Sequence, residues 1–233
     1  MKQVALFAFT VLIMSACRQV QGSGNIVTEN RTTADFTGIS AGGAFEVEIK
    51  NGSSTEVRVE ADDNVIKNIE TTVSGHTLNI RTRDGVNFNN GHFKVYIIAP
   101  DITKINSSGA ASIDIKNILK SNNKITLEAS GAAGINGEVD APEIAIEASG
   151  AANIKVSGRT RVYHAEASGS STIKTSDLMS EKTTVHASGA ASAHVYASVQ
   201  LDADADGAAT IYYTGAAGVS QKTSGAANIK KDD

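Results

Sequence analysis

The segment Glu147-Ala148-Ser149-Gly150-Ala151-Ala152-Asn153-Ile154 is the most informative part of the sequence, because the motif Ser-Gly-Ala-Ala at its centre recurs along the chain with small variations. The repeats are centred on Gly109, Gly131, Gly150, Gly169, Gly189, Gly207 and Gly225. Successive glycines are 22, 19, 19, 20, 18 and 18 residues apart. A period of about 19 residues indicates a repeat protein, in which copies of one small unit stack on each other.

The side chains on both sides of each repeat glycine alternate between apolar and polar. The apolar column four residues before the glycine contains Ile105, Leu127, Ile146, Ala165, Val185, Ala203 and Gln221. The column four residues after it contains Ile113, Ile135, Ile154, Ile173, Ala193, Ile211 and Ile229. Polar side chains stand between the apolar ones, and a period of two is typical of β-strands that bury one face.

A unit of this size cannot bury its apolar row alone. Stacked copies can, because each strand then pairs in parallel with its equivalent in the next coil, about 4.8 Å away. We therefore predict an all-β fold, a single-stranded right-handed parallel β-helix (solenoid) with coils of about 19 residues. The right-handed sense follows from the strong preference of parallel connections for that hand.

The N-terminal part of the domain departs from the repeat. We assign the domain to 35–233, with regular repeats over 105–231 and a less regular N-terminal cap over 35–104. Gly43 is flanked at the repeat offsets by Ile39 and Val47, which predicts a first coil. Alternating runs at 57–59, 78–80 and 93–97 predict further strands. A solenoid needs an atypical end because a naked terminal coil offers an open edge.

The first residues have the pattern of an export signal. Lys2 is followed by a nearly uninterrupted apolar run over 4–14, too short to span a membrane, and by small residues. Met14-Ser15-Ala16-Cys17 resembles the lipobox of bacterial lipoproteins. The resemblance implies a lipoprotein signal peptide over 1–16, lipidation of Cys17, and a tether over 17–34. The alternative is an ordinary secretory signal followed by an incidental cysteine.

A family resemblance rests on the first coil and the repeats together. The run Asp35-Phe36-Thr37-Gly38-Ile39-Ser40, then Gly43-Ala44-Phe45-Glu46-Val47-Glu48-Ile49 and the Ser-Gly-Ala-Ala series, resembles the head GIN domain family, also described as auto-transporter adhesin. It covers roughly 35–217. The resemblance implies an exported β-helical protein, mainly of Gram-negative bacteria, and it brings no catalytic residues.

Composition and motifs argue against several kinds of chemistry. The formal net charge is -4, so we expect no nucleic-acid partner. The histidines fall at different repeat offsets and the serines lack a Gly-x-Ser-x-Gly context, so we expect no catalytic residues, cofactor or metal site. These histidines are His76, His92, His164, His186 and His194.

Asp202, Asp204 and Asp206 share one outward face, but an extended strand spreads them too far to share one calcium ion.

Glu128, Glu147 and Glu166 stand at one repeat offset and should stack about 4.8 Å apart. Such a row of carboxylates would form a weak cation site or receive a basic partner. The blander interpretation, which the sequence favours, is an exposed charged face that keeps the solenoid soluble. The mixed signs of His186, Asp204 and Lys222, which continue the column, support this second interpretation.

These observations predict a non-enzymatic, lipid-anchored cell-envelope protein with adhesin-like binding. Its partners would be the membrane, through lipidated Cys17, and a glycan or an envelope protein. The alternatives are a polysaccharide-active β-helix enzyme and a structural or stress-related periplasmic scaffold. Arg18 and Gln19 do not form an inner-membrane retention signal, so an outer-membrane anchor facing the periplasm is preferred over the cell surface.

Overall fold

The structure, a computed structural model, describes residues 18–89 and 91–232. Cys17 and the expected signal peptide over 1–16 lie outside the described residues. Within them the chain forms 23 β-strands and one 3₁₀ helix, Ile66–Asn68. No helix in the described ranges is long and apolar enough to cross a membrane.

The strands fall into two groups along the chain. The N-terminal group consists of β1 (Arg18–Gln21), β2 (Ile26–Arg31), β3 (Gly38–Gly43), β4 (Glu46–Asn51), β5 (Glu56–Asp62), β6 (Ile69–Ser74), β7 (Thr77–Thr82), β8 (Val86–Asn89) and β9 (Phe93–Ala99). The repeats supply β10 (Lys104–Gly109), β11 (Ser112–Ile115), β12 (Leu119–Lys120), β13 (Ile125–Ala129), β14 (Gly134–Asp140), β15 (Glu143–Ala148), β16 (Asn153–Ala167), β17 (Thr172–Lys174), β18 (Leu178–Ala187), β19 (Ser192–Tyr196), β20 (Gln200–Ala205), β21 (Thr210–Thr214), β22 (Gly218–Thr223) and β23 (Asn228–Lys231).

The repeats form a β-solenoid of about seven turns with a spacing of about 19 residues, so the predicted fold class is confirmed. Every strand of the repeats pairs in parallel with its equivalent in the next coil, and the register is the one predicted from the glycines. Ile105 lies opposite Leu127, and Ile113 opposite Ile135. The same pairing continues to Ile229, which lies opposite Ile211. The right-handed sense of the coil stays a prediction.

The two apolar columns form the core of the solenoid. The side chains of Ile105, Ile113 and Ile154 are 0–1% exposed. Burying an aliphatic side chain of this size contributes roughly 1.5–3 kcal/mol. The columns therefore supply much of the free energy that offsets the ordering of the coils.

The repeat glycines make a turn that no other residue fits. Gly150 has φ +73°, and a Cβ atom on it would lie 2.9 Å from the backbone oxygen of Gly131 in the preceding coil. The same close approach recurs at Gly169, with φ +73° and 2.9 Å to the oxygen of Gly150. Glycine is needed here both for its left-handed backbone and for the absence of a side chain.

The cap over 35–104 does not follow chain order along the solenoid axis. β3 and β4 form the predicted first coil, with Gly43 opposite Gly109. Yet β7 and β9, which come later in the chain, pair in parallel with the other edges of β3 and β4. The antiparallel strands β5 and β6 then pair with β9 and β7, and β2 pairs with β5. This reversal of direction closes the end of the stack.

The expectation of a tether over 17–34 needs correction for two segments. β1 pairs in parallel with β8, and β2 forms an antiparallel ladder with β5 from Ile26 to Arg31. The alternation in Ile26-Val27-Thr28-Glu29 indicates a strand, but the glycines just before it favoured the interpretation as a tether. These residues are therefore part of the folded cap.

Polar side chains also enter the solenoid core. Tyr163 is fully buried, and its hydroxyl lies 2.9 Å from Oγ1 of Thr175, which donates to the carbonyl oxygen of His194 at 2.8 Å. Burial raises the pKa of the Tyr163 hydroxyl above its ordinary value. The hydrogen bonds satisfy these polar groups and allow a large ring to occupy an inward column between Ile144 and Thr183.

Candidate functional site

An outward row of polar side chains crosses the stacked strands that precede the repeat glycines, with one member in each coil. Pairing places each member directly opposite the next, about 4.8 Å away. The row contains Asn106, Glu128, Glu147, Glu166, His186, Asp204 and Lys222. The column predicted from the sequence is therefore a continuous feature of one face, with carboxylates at its centre.

The first five members of this row, from Asn106 to His186, line a shallow groove of about 370 Å³. A second row of side chains, one residue before each glycine, lines the same groove: Ser130, Ser149, Ser168 and Ser188. The buried residues Ala129, Ala148 and Ala167 lie between the two rows. We call this feature the acidic groove. It presents serine hydroxyls over four successive coils, beside carboxylates in the first three coils and the His186 imidazole in the fourth.

The carboxylates of the acidic groove differ in their partners. Glu128 is neutralised by the Nζ of Lys104 at 2.8 Å and accepts a hydrogen bond from Nδ2 of Asn106 at 3.0 Å. Among the described residues, Glu147 and Glu166 have no cation within salt-bridge distance and accept no hydrogen bond from a protein group. Adjacent like charges on paired strands are destabilising. A positively charged ligand at Glu147 and Glu166 would relieve that repulsion.

The serine hydroxyls of the groove are also free for a ligand. Within the described part of the chain, Ser130, Ser149, Ser168 and Ser188 make no side-chain hydrogen bond to the protein. Their repetition in register is explained by their place in the turn, where a small polar residue precedes glycine. The hydroxyl ladder that their spacing suggests is not formed.

The acidic groove ends at a cluster that the sequence did not predict. His186 lies opposite Asp204, and Asp206 stands where other repeats have serine. One ligand atom from each of the three side chains lies within 4.8 Å of the others. We expected no metal site because the histidines stand at different positions in their repeats. That comparison did not consider the carboxylates that the next coil places beside a histidine. The signal in the sequence is the pair of departures from the repeat pattern, histidine for glutamate and aspartate for serine.

A second histidine lies near a serine and an aspartate. Nε2 of His194 is 3.5 Å from Oγ of Ser192, and its Nδ1 is 3.8 Å from Oδ2 of Asp232. The His194 ring stacks on Tyr212 with centroids 4.5 Å apart. Both polar distances exceed the range of about 2.6–3.2 Å over which a base activates a nucleophile. The arrangement follows from side-by-side positions on one strand face and does not form a catalytic triad.

A larger cleft of about 740 Å³ lies on the cap. Two of its charged side chains have partners: Glu48 accepts from Nζ of Lys94 at 2.8 Å, and Arg58 lies 4.1 Å from the centre of the Tyr96 ring. Among the described residues, Asp35 and Lys50 of the same lining form no ion pair, and Nε of Arg31 is buried without a hydrogen-bond partner. The hydrogen bond from Lys94 holds the pKa of Glu48 below its ordinary value, and the same contact raises the pKa of Lys94. The cap cleft therefore mixes positive and negative side chains, and unlike the acidic groove it has no row of neighbouring carboxylates.

The repeat with its first coil at 38–51 also identifies the chain among known families. Residues 35–217 match the family model described as "Putative auto-transporter adhesin, head GIN domain". The chain belongs to the head GIN domain family. The resemblance stated from the sequence is confirmed, with the same limits along the chain.

Solved structures share the head GIN fold. A "putative adhesin" from Bacteroides fragilis is 20% identical with a TM-score of 0.86, covering 91% of this chain and 100% of that one. A "putative lipid binding protein" from Parabacteroides distasonis is also 20% identical, with a TM-score of 0.76 and coverage of 93% and 100%. A "putative adhesin" from Parabacteroides merdae is 18% identical, with a TM-score of 0.77 and the same coverage. At this identity the likeness shows the fold alone.

A search of curated proteins finds no protein with significant sequence similarity to this chain.

Proposed function

We propose that this head GIN domain protein is a non-enzymatic, lipid-anchored cell-envelope protein that binds a positively charged partner segment in the acidic groove. The observation that carries the proposal is the row of neighbouring carboxylates at Glu147 and Glu166, which lack a cation among the described residues. Membership of a family described as adhesins supports a binding role at the envelope.

The dimensions of the acidic groove favour an extended segment. Four coils at about 4.8 Å spacing span roughly 14 Å, which an extended peptide of about four residues covers. The groove lining contains no Phe, Tyr or Trp side chain among its described residues. Because a pocket for a sugar ring usually offers an aromatic face, a basic protein segment of the envelope is the partner we propose.

The test compares two double variants with the same change in net charge. Glu147→Gln with Glu166→Gln removes the carboxylates of the groove, and Glu138→Gln with Glu181→Gln removes exposed carboxylates elsewhere. We expect the groove variant to bind an immobilised lysine-rich peptide at least about tenfold more weakly, with most of the difference lost at high salt. The control variant should stay within about twofold of the unchanged protein.

Equal losses in the two variants would mean that the peptide senses net charge and not the groove. A chitosan oligosaccharide, which carries amino groups on a sugar chain, is the second probe. If it binds more tightly than the peptide and is the ligand that responds to the groove variant, the partner is a glycan.

Lipid anchoring at Cys17 is the second part of the proposal. Its support is the likeness of Met14-Ser15-Ala16-Cys17 to a lipobox and the single cysteine of the chain. Several acyl chains on one residue would hold the protein on a membrane durably, since each buried CH₂ contributes roughly 0.8 kcal/mol. Since β1 begins at Arg18 and pairs within the cap, such an anchor would hold the solenoid by its cap end.

Metabolic labelling with a fatty-acid analogue tests the anchor. We expect the unchanged protein to be labelled and Cys17→Ala to remain unlabelled; label in neither protein would overturn the anchor. Protease added to intact cells then distinguishes the locations. Protection until the outer membrane is opened supports the preferred periplasmic face, whereas digestion on intact cells supports surface display.

A further inference from the structure

We infer that His186, Asp204 and Asp206 form a binding site for a divalent transition-metal ion of the zinc class. The three side chains come from consecutive coils on strands β18 and β20 and the turn after β20. Their ligand atoms all lie within 4.8 Å of one another. The inference does not rest on the proposed partner or on the anchor, because metal binding is measured directly.

The distances fit a site that closes slightly around an ion. Nδ1 of His186 is 3.9 Å from Oδ2 of Asp204, and its Nε2 is 4.0 Å from Oδ2 of Asp206, so the imidazole faces each carboxylate with a different nitrogen. With one ligand atom taken from each side chain, every separation is within 4.8 Å. Around a zinc ion with bonds of about 2.0–2.2 Å, neighbouring ligand atoms are about 3.4 Å apart. The three side chains are 38–45% exposed, so small rotations can close the remaining gap without moving the strands. The imidazole would bind through one of its two nitrogens, and water would complete the coordination.

The Asp204 carboxylate provides an independent indication of a missing partner. Its Oδ1 atom is shielded from solvent and has no hydrogen-bond partner in the described structure. A carboxylate oxygen that is shielded from water and has no hydrogen-bond partner destabilises the folded state. A cation bound by both oxygens of the Asp204 carboxylate would satisfy this oxygen.

The surroundings hold the carboxylates in place. Ser224 donates a hydrogen bond to Oδ1 of Asp206, which leaves Oδ2 of that carboxylate facing His186. The backbone N–H of Asp206 donates to the carbonyl oxygen of Ala187 at 2.9 Å, so the turn is tied to the strand that carries the imidazole. Hydrogen bonds to metal ligands of this kind fix their orientation and raise affinity.

The donor set selects the class of ion. An imidazole nitrogen with carboxylate oxygens suits zinc and its neighbours among the transition metals, whereas calcium and magnesium prefer oxygen ligands alone. Nζ of Lys222 lies 3.8 Å from Oδ2 of Asp204, and this cation competes with the metal for the carboxylate. Lys222 is 78% exposed and can swing away on its flexible stem.

Isothermal titration calorimetry with zinc chloride tests the site. The protein is the full chain carrying Cys17→Ser, purified in detergent without a histidine tag, so that neither a thiol nor added imidazoles compete. We expect one zinc ion to bind per chain, and calcium chloride to give no comparable binding. His186→Gln and Asp206→Ser should each weaken zinc binding at least tenfold. Asp206→Ser introduces the residue that most repeats carry at this position, so the solenoid should fold unchanged.

The matched controls are His164→Gln and Asp202→Asn, which remove an exposed imidazole and a neighbouring carboxylate of β20 outside the cluster. Both should leave zinc affinity unchanged. Zinc affinity that is unaffected by His186→Gln and Asp206→Ser would overturn the inference, as would equal losses in the controls or the absence of zinc binding by the unchanged chain. Far-ultraviolet circular dichroism confirms that each variant is folded.

Discussion

The N-terminal end of the solenoid is covered by antiparallel strands, whereas the described chain at the other end finishes with a coil whose two strands are largely exposed. At the first end, β5 and β6 pair with β9 and β7, and aromatic rings fill the core, with Phe45 and Phe93 centroids 5.6 Å apart. At the other end, all six residues of β22 are exposed, and Val219 is 40% exposed.

The two ends limit the pairing of parallel strands in different ways. Each coil offers the next coil an unpaired row of backbone N–H and C=O groups, so the repeat contains no stop signal of its own. The cap ends it by reversing strand direction. The last described coil instead has polar Gln221 in an apolar column, together with Lys222, Lys230 and Lys231. Lysines on a strand discourage its pairing with another sheet.

The largest expected difference between the ends concerns buried charge. Val59 in β5 is 0% exposed, so Val59→Asp places an unpaired carboxylate in the core of the cap. We expect it to lower the free energy of unfolding by about 4 kcal/mol or more, whereas Val219→Asp should change it by less than about 1 kcal/mol. Urea unfolding followed by circular dichroism measures both. Similar losses would mean that the last coil is as well packed as the cap.

A pair of glycine variants separates backbone conformation from the stacking of coils. Gly75, in the hairpin between β6 and β7 of the cap, has φ +56°, and a Cβ atom on it would have no neighbouring atom within 4 Å. Gly75→Ala should therefore cost only the left-handed strain, about 1–2 kcal/mol. Gly150→Ala has the same strain and a contact of 2.9 Å with the oxygen of Gly131, so we expect it to cost at least about 1 kcal/mol more. Equal melting temperatures would contradict the close contact between coils.

The smallest expected effect is a pH dependence that belongs to the cap. Asp62 is 3% exposed and accepts backbone N–H bonds from His92 at 2.9 Å and Gly24 at 2.6 Å. These bonds hold the pKa of Asp62 below its ordinary value. A lowered pKa in the folded state means that the carboxylate stabilises the fold above about pH 4, and that this stabilisation is lost as the pH falls through the lowered value.

Asp62→Asn should therefore be less stable than the unchanged protein at pH 7 and lose less stability on acidification to about pH 3. Exposed Asp177→Asn is the control and should follow the unchanged protein at both pH values. Thermal unfolding at the two pH values measures the difference. A steeper loss of stability in Asp62→Asn than in the unchanged protein would contradict the assignment.

The repeat region could be predicted from the sequence nearly residue by residue. The glycine alignment placed Ile146 beside Leu127 and Ile154 beside Ile135, and the strand pairing has them there. The prediction succeeded because similar coils stack in register, so residues at the same offset from their repeat glycine lie opposite each other in space. The central acidic row was predictable for the same reason, although the sequence favoured a merely solvated face.

The cap could be predicted only in part. The strands over 57–59, 78–80 and 93–97 were expected from alternation, but not that 77–99 would stack on the outer side of 38–51. Residues 26–31 were expected to belong to a tether, although this segment is strand β2. The partners of the antiparallel strands in the cap depend on which strand edges remain unpaired and which side chains fit between them. The cap has no sequence repeat from which these partners could be predicted.

The repeat in the sequence was sufficient to predict the solenoid, its period and its inward columns, because alternation and a fixed offset dictate which side chains face the core. The residues of the first coil and the repeats also carried the resemblance to the head GIN domain family. How the cap closes the stack, which carboxylates of the groove lack partners, and the approach of His186 to Asp204 and Asp206 became visible only in the folded chain. Those features depend on distances between side chains in neighbouring coils. His186 replaces the glutamate of one coil and Asp206 replaces the serine of the next, and only their proximity in space indicates a common site.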